Sequence, residues 1–224
     1  MPAMSAAPQS PAMSPMRRLD AVDDWFGRIQ TRLAEVSAAP DARPATATAT
    51  AQGLSPRERR LSAGLMRVNH AGEVAAQGLY QGQARMARSA PIRAHMLEAA
   101  AEERAHLEWC RGRLDALGSA PSLLDPLWYM GSYALGAAVA RLGDGVSLGF
   151  VSETERQVEA HLQGHGDRLP RADAASREVV ARMQADEAAH GQAARDRGGS
   201  SMPPPVRGLM RMTAKLMTGS AYWL

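Results

Sequence analysis

Two short strings, Glu103-Arg104-Ala105-His106 and Glu187-Ala188-Ala189-His190, constrain this chain more than any other feature of it. Each reads Glu-x-x-His, and on a helix positions i and i+3 share a face, so each sets one carboxylate and one imidazole on the same side. A glutamate stands 30 residues before the first string, at Glu73, and another 32 residues before the second, at Glu155. The chain therefore reads Glu, then Glu-x-x-His, twice. Bringing all six side chains together takes four helices side by side, two supplying a Glu and two supplying a Glu-x-x-His.

The residues between these points agree with helices. Only 10 of 224 residues are aromatic, while Ala, Leu, Arg, Met, Glu and Gln abound, so a sandwich or barrel is excluded and an all-α fold expected. Ser55-Pro56-Arg57-Glu58 is a helix start, with Pro56 at the first helical position and Glu58 completing a capping box. Helix one is expected over 56–88, a second from Pro91 to about Leu117, a third over about 125–164 and a fourth over about 170–197. Gly118 and Gly198-Gly199 mark two of the stops. Joined by short loops, the four give an antiparallel bundle of the up-and-down kind.

Outside that unit, residues 1–16 read as a disordered leader of Ala, Pro, Ser and Met, residues 17–37 as a short amphipathic helix, and residues 38–54 as a flexible Ala/Thr/Pro linker. Residues 55–224 form the bundle domain with a terminal helix. In that last stretch Leu209, Met210, Met212, Leu216, Met217, Tyr222 and Trp223 accompany Arg207, Arg211 and Lys215 without an acid. Such a basic amphipathic helix suits an anionic membrane interface, or it packs on the bundle. The longest uncharged stretch of the bundle domain, residues 126–140, is too short to span a bilayer. The arginines of the leader stand at its wrong end for a signal peptide, so secretion is not expected.

The chemistry follows from the inward-facing groups. Cys110 is the only cysteine, so neither an internal disulfide nor a thiolate metal site is available and any metal is held by oxygen and nitrogen. Four carboxylates and two imidazoles suit a pair of iron or manganese ions. The candidate ligands are Glu73, Glu103, His106, Glu155, Glu187 and His190. Glu153 or Glu159 stands close enough to Glu155 to replace it, and Glu159, one turn on, could also support it. His70, three residues before Glu73, either hydrogen-bonds a carboxylate or packs near the helix start. His161 either approaches the site from the face of Glu155 or lies on the surface. A net charge of +3, with Arg and Glu interleaved along the chain, argues against a nucleic-acid partner. No Gly-rich dinucleotide fingerprint is present.

The string Leu65-Met66-Arg67-Val68-Asn69-His70-Ala71-Gly72-Glu73, continued by Gly78-Leu79-Tyr80-Gln81-Gly82-Gln83, resembles the demethoxyubiquinone hydroxylase family of ubiquinone biosynthesis. The resemblance runs on through residues 153–161 to Met212-Thr213-Ala214-Lys215 and covers about 54–224. It implies a ferritin-like di-iron monooxygenase in which the six candidates are iron ligands, Glu103 and Glu187 bridging, with Tyr80 a further group near them. It also implies dioxygen as co-substrate, electrons from NADH or from the quinol itself, and a polyprenylated demethoxy-benzoquinol as substrate. A greasy substrate implies peripheral attachment to the cytoplasmic face of the cell membrane, alongside other ubiquinone-biosynthesis proteins or as a homo-oligomer. The alternatives are a ferritin-type iron-storage protein and another di-iron oxygenase.

Overall fold

The structure is a computed structural model and describes residue 49 and residues 51–224. The expected leader, the helix over 17–37 and most of the 38–54 linker lie outside the described residues. Among the described residues there are six helices and no strand: α1 (Pro56–Met86), α2 (Ala90–Ala116), α3 (Asp125–Arg141), α4 (Asp144–Arg168), α5 (Ala174–Asp196) and α6 (Pro204–Trp223).

Local chemistry sets most of the ends. Ser55 Oγ accepts from the Glu58 amide at 3.3 Å while the Glu58 carboxylate accepts from the Ser55 amide at 2.9 Å, closing the capping box. Ser89 caps α2 through the Ile92 amide, and Asp173 caps α5 through the Ser176 amide. Asp173 also binds Arg113, a guanidinium only 1 % exposed that reaches Ser176 Oγ and the Ala49 carbonyl as well. The end of the linker is thereby tied to α2 and α5.

Side-chain pairs give the directions. Gln83 of α1 donates to the Ser147 carbonyl near the start of α4, and Asn69 of α1 meets His165 near its end, so α1 and α4 are antiparallel. Arg113 with Ser176, and Glu102 with His190, make α2 and α5 antiparallel. α3 differs. Gly78 of α1 lies against Tyr129, and Gly82 against Tyr133 and Ala137, so α3 runs parallel to α1 at backbone-contact distance. Its 17 residues carry the chain about 25 Å, from the end where α2 finishes to the end where α4 begins.

The third helical region expected over 125–164 is therefore two helices, broken at Gly143, whose φ of +124° no helical residue adopts. The connection from α2 to α4 is a crossover instead of a short loop, so those two helices run the same way. One long crossover in a four-helix bundle is the ferritin-like arrangement, and that fold class is what the chain adopts.

Two apolar layers fill the bundle. One holds Leu65, Met66, Trp109, Cys110, Leu114, Leu162, Val179, Val180 and Met183; the other holds Tyr80, Ala84, Met96, Ala99, Ala100, Leu148, Val151 and Ala194. By sequence, Glu73, Glu103, His106, Glu155 and Glu187 fall between these two sets on each helix, and all five are buried. The polar site is a layer sealed by hydrocarbon above and below.

Candidate metal centre

Each long helix delivers its residues into that middle layer. Glu73, Glu103, His106 and Glu187 each offer one ligand atom within 4.8 Å of all the others. His106 Nδ1 is 2.9 Å from Glu103 Oε2, 3.5 Å from Glu187 Oε1 and 3.7 Å from Glu73 Oε2. His190 Nδ1 is 3.1 Å from Glu103 Oε1 and 3.8 Å from Glu187 Oε2. Glu103 and Glu187 thus each turn one oxygen to either imidazole. Glu155 meets Glu187 on the α4 side and accepts a hydrogen bond from the Tyr80 hydroxyl.

The layer concentrates buried negative charge. Burial, then the neighbouring Glu103, pushes the Glu73 carboxyl well above its usual range; burial, then Glu187, does the same to Glu155. Burial also pushes Glu103 upward, but the His106 and His190 imidazoles outweigh it and hold it below the ordinary range; burial and Glu103 push Glu187 upward, and hydrogen bonds with Glu155, His106 and His190 outweigh them. Burial opposes protonation of His106 and His190, yet the surrounding carboxylates raise both. Taking an ionised carboxylate out of water costs several kcal/mol unless opposite charge replaces the water. Two divalent cations balance four carboxylates charge for charge.

Orphaned atoms supply the test of fit. Glu103 Oε1, Glu187 Oε2 and His190 Nδ1 are buried without a hydrogen-bond partner, although the first and last are only 3.1 Å apart. Carboxylate oxygens and imidazole nitrogens that converge on one buried point are a donor set that a cation satisfies. Oxygen and imidazole donors with no thiolate suit iron or manganese.

The other acids of α4 point elsewhere. Glu153 is bound by Arg156, at 2.6 and 2.9 Å, and by Gln157, while Glu159 is half-exposed beside Arg156. His70 turns to Asp125 at the start of α3, Nδ1 to Oδ2 3.0 Å, and so ties α1 to the crossover instead of binding a carboxylate of the cluster. His161 stacks on His165 with centroids 4.0 Å apart, and its Nε2 is buried without a hydrogen-bond partner among the described residues.

Sequence reasoning passed over three features. His165 carries no periodic signal, yet it is buried with Nδ1 2.7 Å from Asn69 Oδ1, and burial followed by His161 lowers its pKa to about 3. Glu102 and Asp186, each preceding a cluster glutamate, reach the histidine of the opposite string, at 2.6 Å for His190 Nε2 and 3.0 Å for His106 Nε2. The signal was there: both strings read acid-Glu-x-x-His. The third feature is a cavity of about 1060 Å³ between α1, α3, α4 and α6. Glu73, Glu155 and Glu187 line it together with Leu79, Val139, Phe150, Met210 and Met217, and Arg211 and Lys215 also border it. The cluster is therefore open towards an apolar chamber on the side away from its histidines.

A model of the family described as ubiquinone biosynthesis protein COQ7 matches residues 60–221. A 3-demethoxyubiquinol 3-hydroxylase of Bordetella petrii is 51% identical over 225 residues, covering 99% of this chain and 100% of that protein. One from Burkholderia lata is 58% identical over 181 residues, with 81% and 87% covered, and one from Burkholderia multivorans is 53% identical over 206 residues, with 92% and 99% covered.

Proposed function

The chain belongs to the COQ7 family of ubiquinone biosynthesis proteins, and we propose that it hydroxylates a polyprenylated demethoxyubiquinol with dioxygen at a di-iron centre. The observation that carries this reading is the apolar chamber ending on the carboxylate layer, since it offers a prenylated ring a water-poor path to the metal ligands. Glu73, Glu103, His106, Glu155, Glu187 and His190 would hold two iron ions. When bound, those ions supply reductive activation of dioxygen, one oxygen atom entering a ring C–H and the other leaving as water with two electrons from a reductant such as NADH.

The protein's own contribution is placement and exclusion. Leu79, Phe150 and Val139 form walls against which an isoprenoid chain can lie, and the two apolar layers keep bulk water from the carboxylates. Tyr80 holds Glu155 by its hydroxyl. Glu103 and Glu187, each facing both imidazoles, support a reading in which these two carboxylates are shared between the ions.

The same reading places the protein at the cytoplasmic surface of the cell membrane. No helix of the described residues is long and apolar enough to cross a bilayer. Instead α6 exposes Leu209, Met212, Leu216 and Trp223 along one stripe, with Arg211 and Lys215 exposed beside it, and α3 and its approach expose Leu123, Leu127 and Met130. Apolar side chains flanked by cations suit the boundary between acyl chains and anionic headgroups. Both helices border the chamber, so a quinol could pass from bilayer to site without crossing water.

The test is turnover of a short-chain demethoxyquinol by the iron-loaded protein with a reductant. Product that disappears in Glu187→Ala and His106→Ala supports the assignment. Iron uptake and re-release without any change in the quinol would favour storage instead.

A further inference from the structure

The antiparallel pairing of α2 and α5 sets the two strings head to tail, so that the acid leading each string lies opposite the histidine closing the other. His106 Nε2 donates to Asp186 Oδ2 at 3.0 Å, and His190 Nε2 donates to Glu102 Oε2 at 2.6 Å. Both imidazoles therefore have the same orientation: Nε2 outward on a carboxylate, Nδ1 inward on Glu103 and Glu187.

We propose that Glu102 and Asp186 are a matched pair of positioning residues, each fixing the tautomer and ring angle of the histidine on the opposite helix so that Nδ1 is the nitrogen presented to a metal. A carboxylate accepts from Nε2–H, so a neutral ring held this way carries its one proton on Nε2 and leaves the Nδ1 lone pair for an inward ligand. Among the described residues, each acid finds its hydrogen-bond partner in one of these histidines. The acids' side chains are 56% and 41% exposed, and a surface glutamate or aspartate on a helix gains little from an exposed ion pair. The two arms are not equal. His106 is packed on Trp109, centroids 4.9 Å apart, with the Arg182 guanidinium 5.2 Å from that indole, whereas His190 is 14% exposed. Packing on Trp109 backs the Asp186 arm, and the more exposed Glu102 arm relies more on its hydrogen bond.

This inference rests on the metal-binding reading above and is tested through the metal, not through turnover. Glu102→Ala, Asp186→Ala, Glu102→Gln and Asp186→Asn are loaded anaerobically with ferrous iron, and its release to an excess of a chromophoric chelator is timed. The alanine variants should release iron about 10 to 100 times faster than wild type, with Glu102→Ala the more affected. The amide variants, whose side-chain oxygen still accepts from Nε2–H, should fall between. Near-infrared magnetic circular dichroism of the ferrous protein should change in the alanine variants, and the metal-free proteins should melt at the wild-type temperature because both sites are half-exposed and alanine suits a helix. Wild-type release rates and spectra in both alanine variants would overturn the proposal. So would faster release accompanied by an equal loss of stability in the metal-free form, which marks a purely structural role. A wild-type protein that holds no iron would instead refute the metal-binding reading itself.

Discussion

Gly82 tests whether the crossover helix lies where the structure puts it. A methyl group at this position would stand 2.8 Å from the Ala137 amide nitrogen and closer still to the Tyr133 carbonyl oxygen. Ordinary contacts between such atoms begin near about 3.5 Å, so in Gly82→Ala the backbones of α1 and α3 must separate by something on the order of 1 Å. No side chain can rotate out of the way, because the obstacle is main chain. Overpacking of this kind costs about 2–3 kcal/mol, against about 0.5–1 kcal/mol gained by replacing a helical glycine with alanine. The net loss of about 1–2.5 kcal/mol lowers the melting temperature by about 2–10 °C for a domain of this size. Gly164, in α4, has nothing within 4 Å of its missing Cβ, so Gly164→Ala keeps only the gain and should melt about 1–4 °C higher. Calorimetry on the two variants reads opposite signs. If both melt higher, α3 does not lie on α1 as described.

Three further outcomes follow from the site and its surroundings. Ferrous iron at 100 times its dissociation constant should stabilise the protein by about 2.7 kcal/mol, a rise of about 5–11 °C in melting temperature that a chelator reverses; Glu73→Gln, which removes a buried carboxylate with a raised pKa, should melt higher than wild type without metal and gain less from iron. His165 is held neutral in the fold, with its pKa lowered to about 3, so the unfolded chain binds the extra proton below about pH 6.5. Its contribution is complete above that pH and falls as pH drops towards 3, by up to about 1.4 kcal/mol per pH unit; urea titrations of His165→Gln should show a shallower acid slope than wild type, and an unchanged slope would remove His165 as the cause. Arg211→Glu and Lys215→Glu should each weaken sedimentation with anionic vesicles by at least about fivefold, from roughly 1 kcal/mol per basic residue at such a surface, and equal binding of wild type to neutral vesicles would contradict the membrane reading.

What could be read from the sequence was local or periodic. Ser55 with Glu58 starts α1, and Gly118 and Gly198, at φ +69° and +93°, stand just past α2 and α5, because caps and stops are decided within a turn. The i, i+3 spacing alone put Glu103 beside His106. Gly143 stands in Leu142-Gly143-Asp144-Gly145, a break signal passed over among the other glycines of the stretch, Gly131, Gly136 and Gly149, and its positive φ shows that the helix ends there. The direction of α3 is set by Gly78 and Gly82 meeting Tyr129 and Tyr133, contacts about fifty residues apart that no local pattern encodes. Glu153 and Glu155 were indistinguishable by composition. Two residues apart on a helix they face different ways, and Arg156 takes the first while the cluster takes the second. Glu102 and Asp186 gain their partners only through the antiparallel register of α2 and α5.

The measurement that bears most directly on the central claim is a single turnover with isotopically labelled dioxygen. The protein is loaded with two equivalents of iron, reduced without oxygen, mixed with a short-chain demethoxyquinol and exposed to the labelled gas. The account predicts a product carrying one labelled oxygen atom on the ring, formed by wild type and not by Glu187→Ala. Oxygen consumed with the quinol unchanged, or a ring oxygen that comes from water, would contradict it.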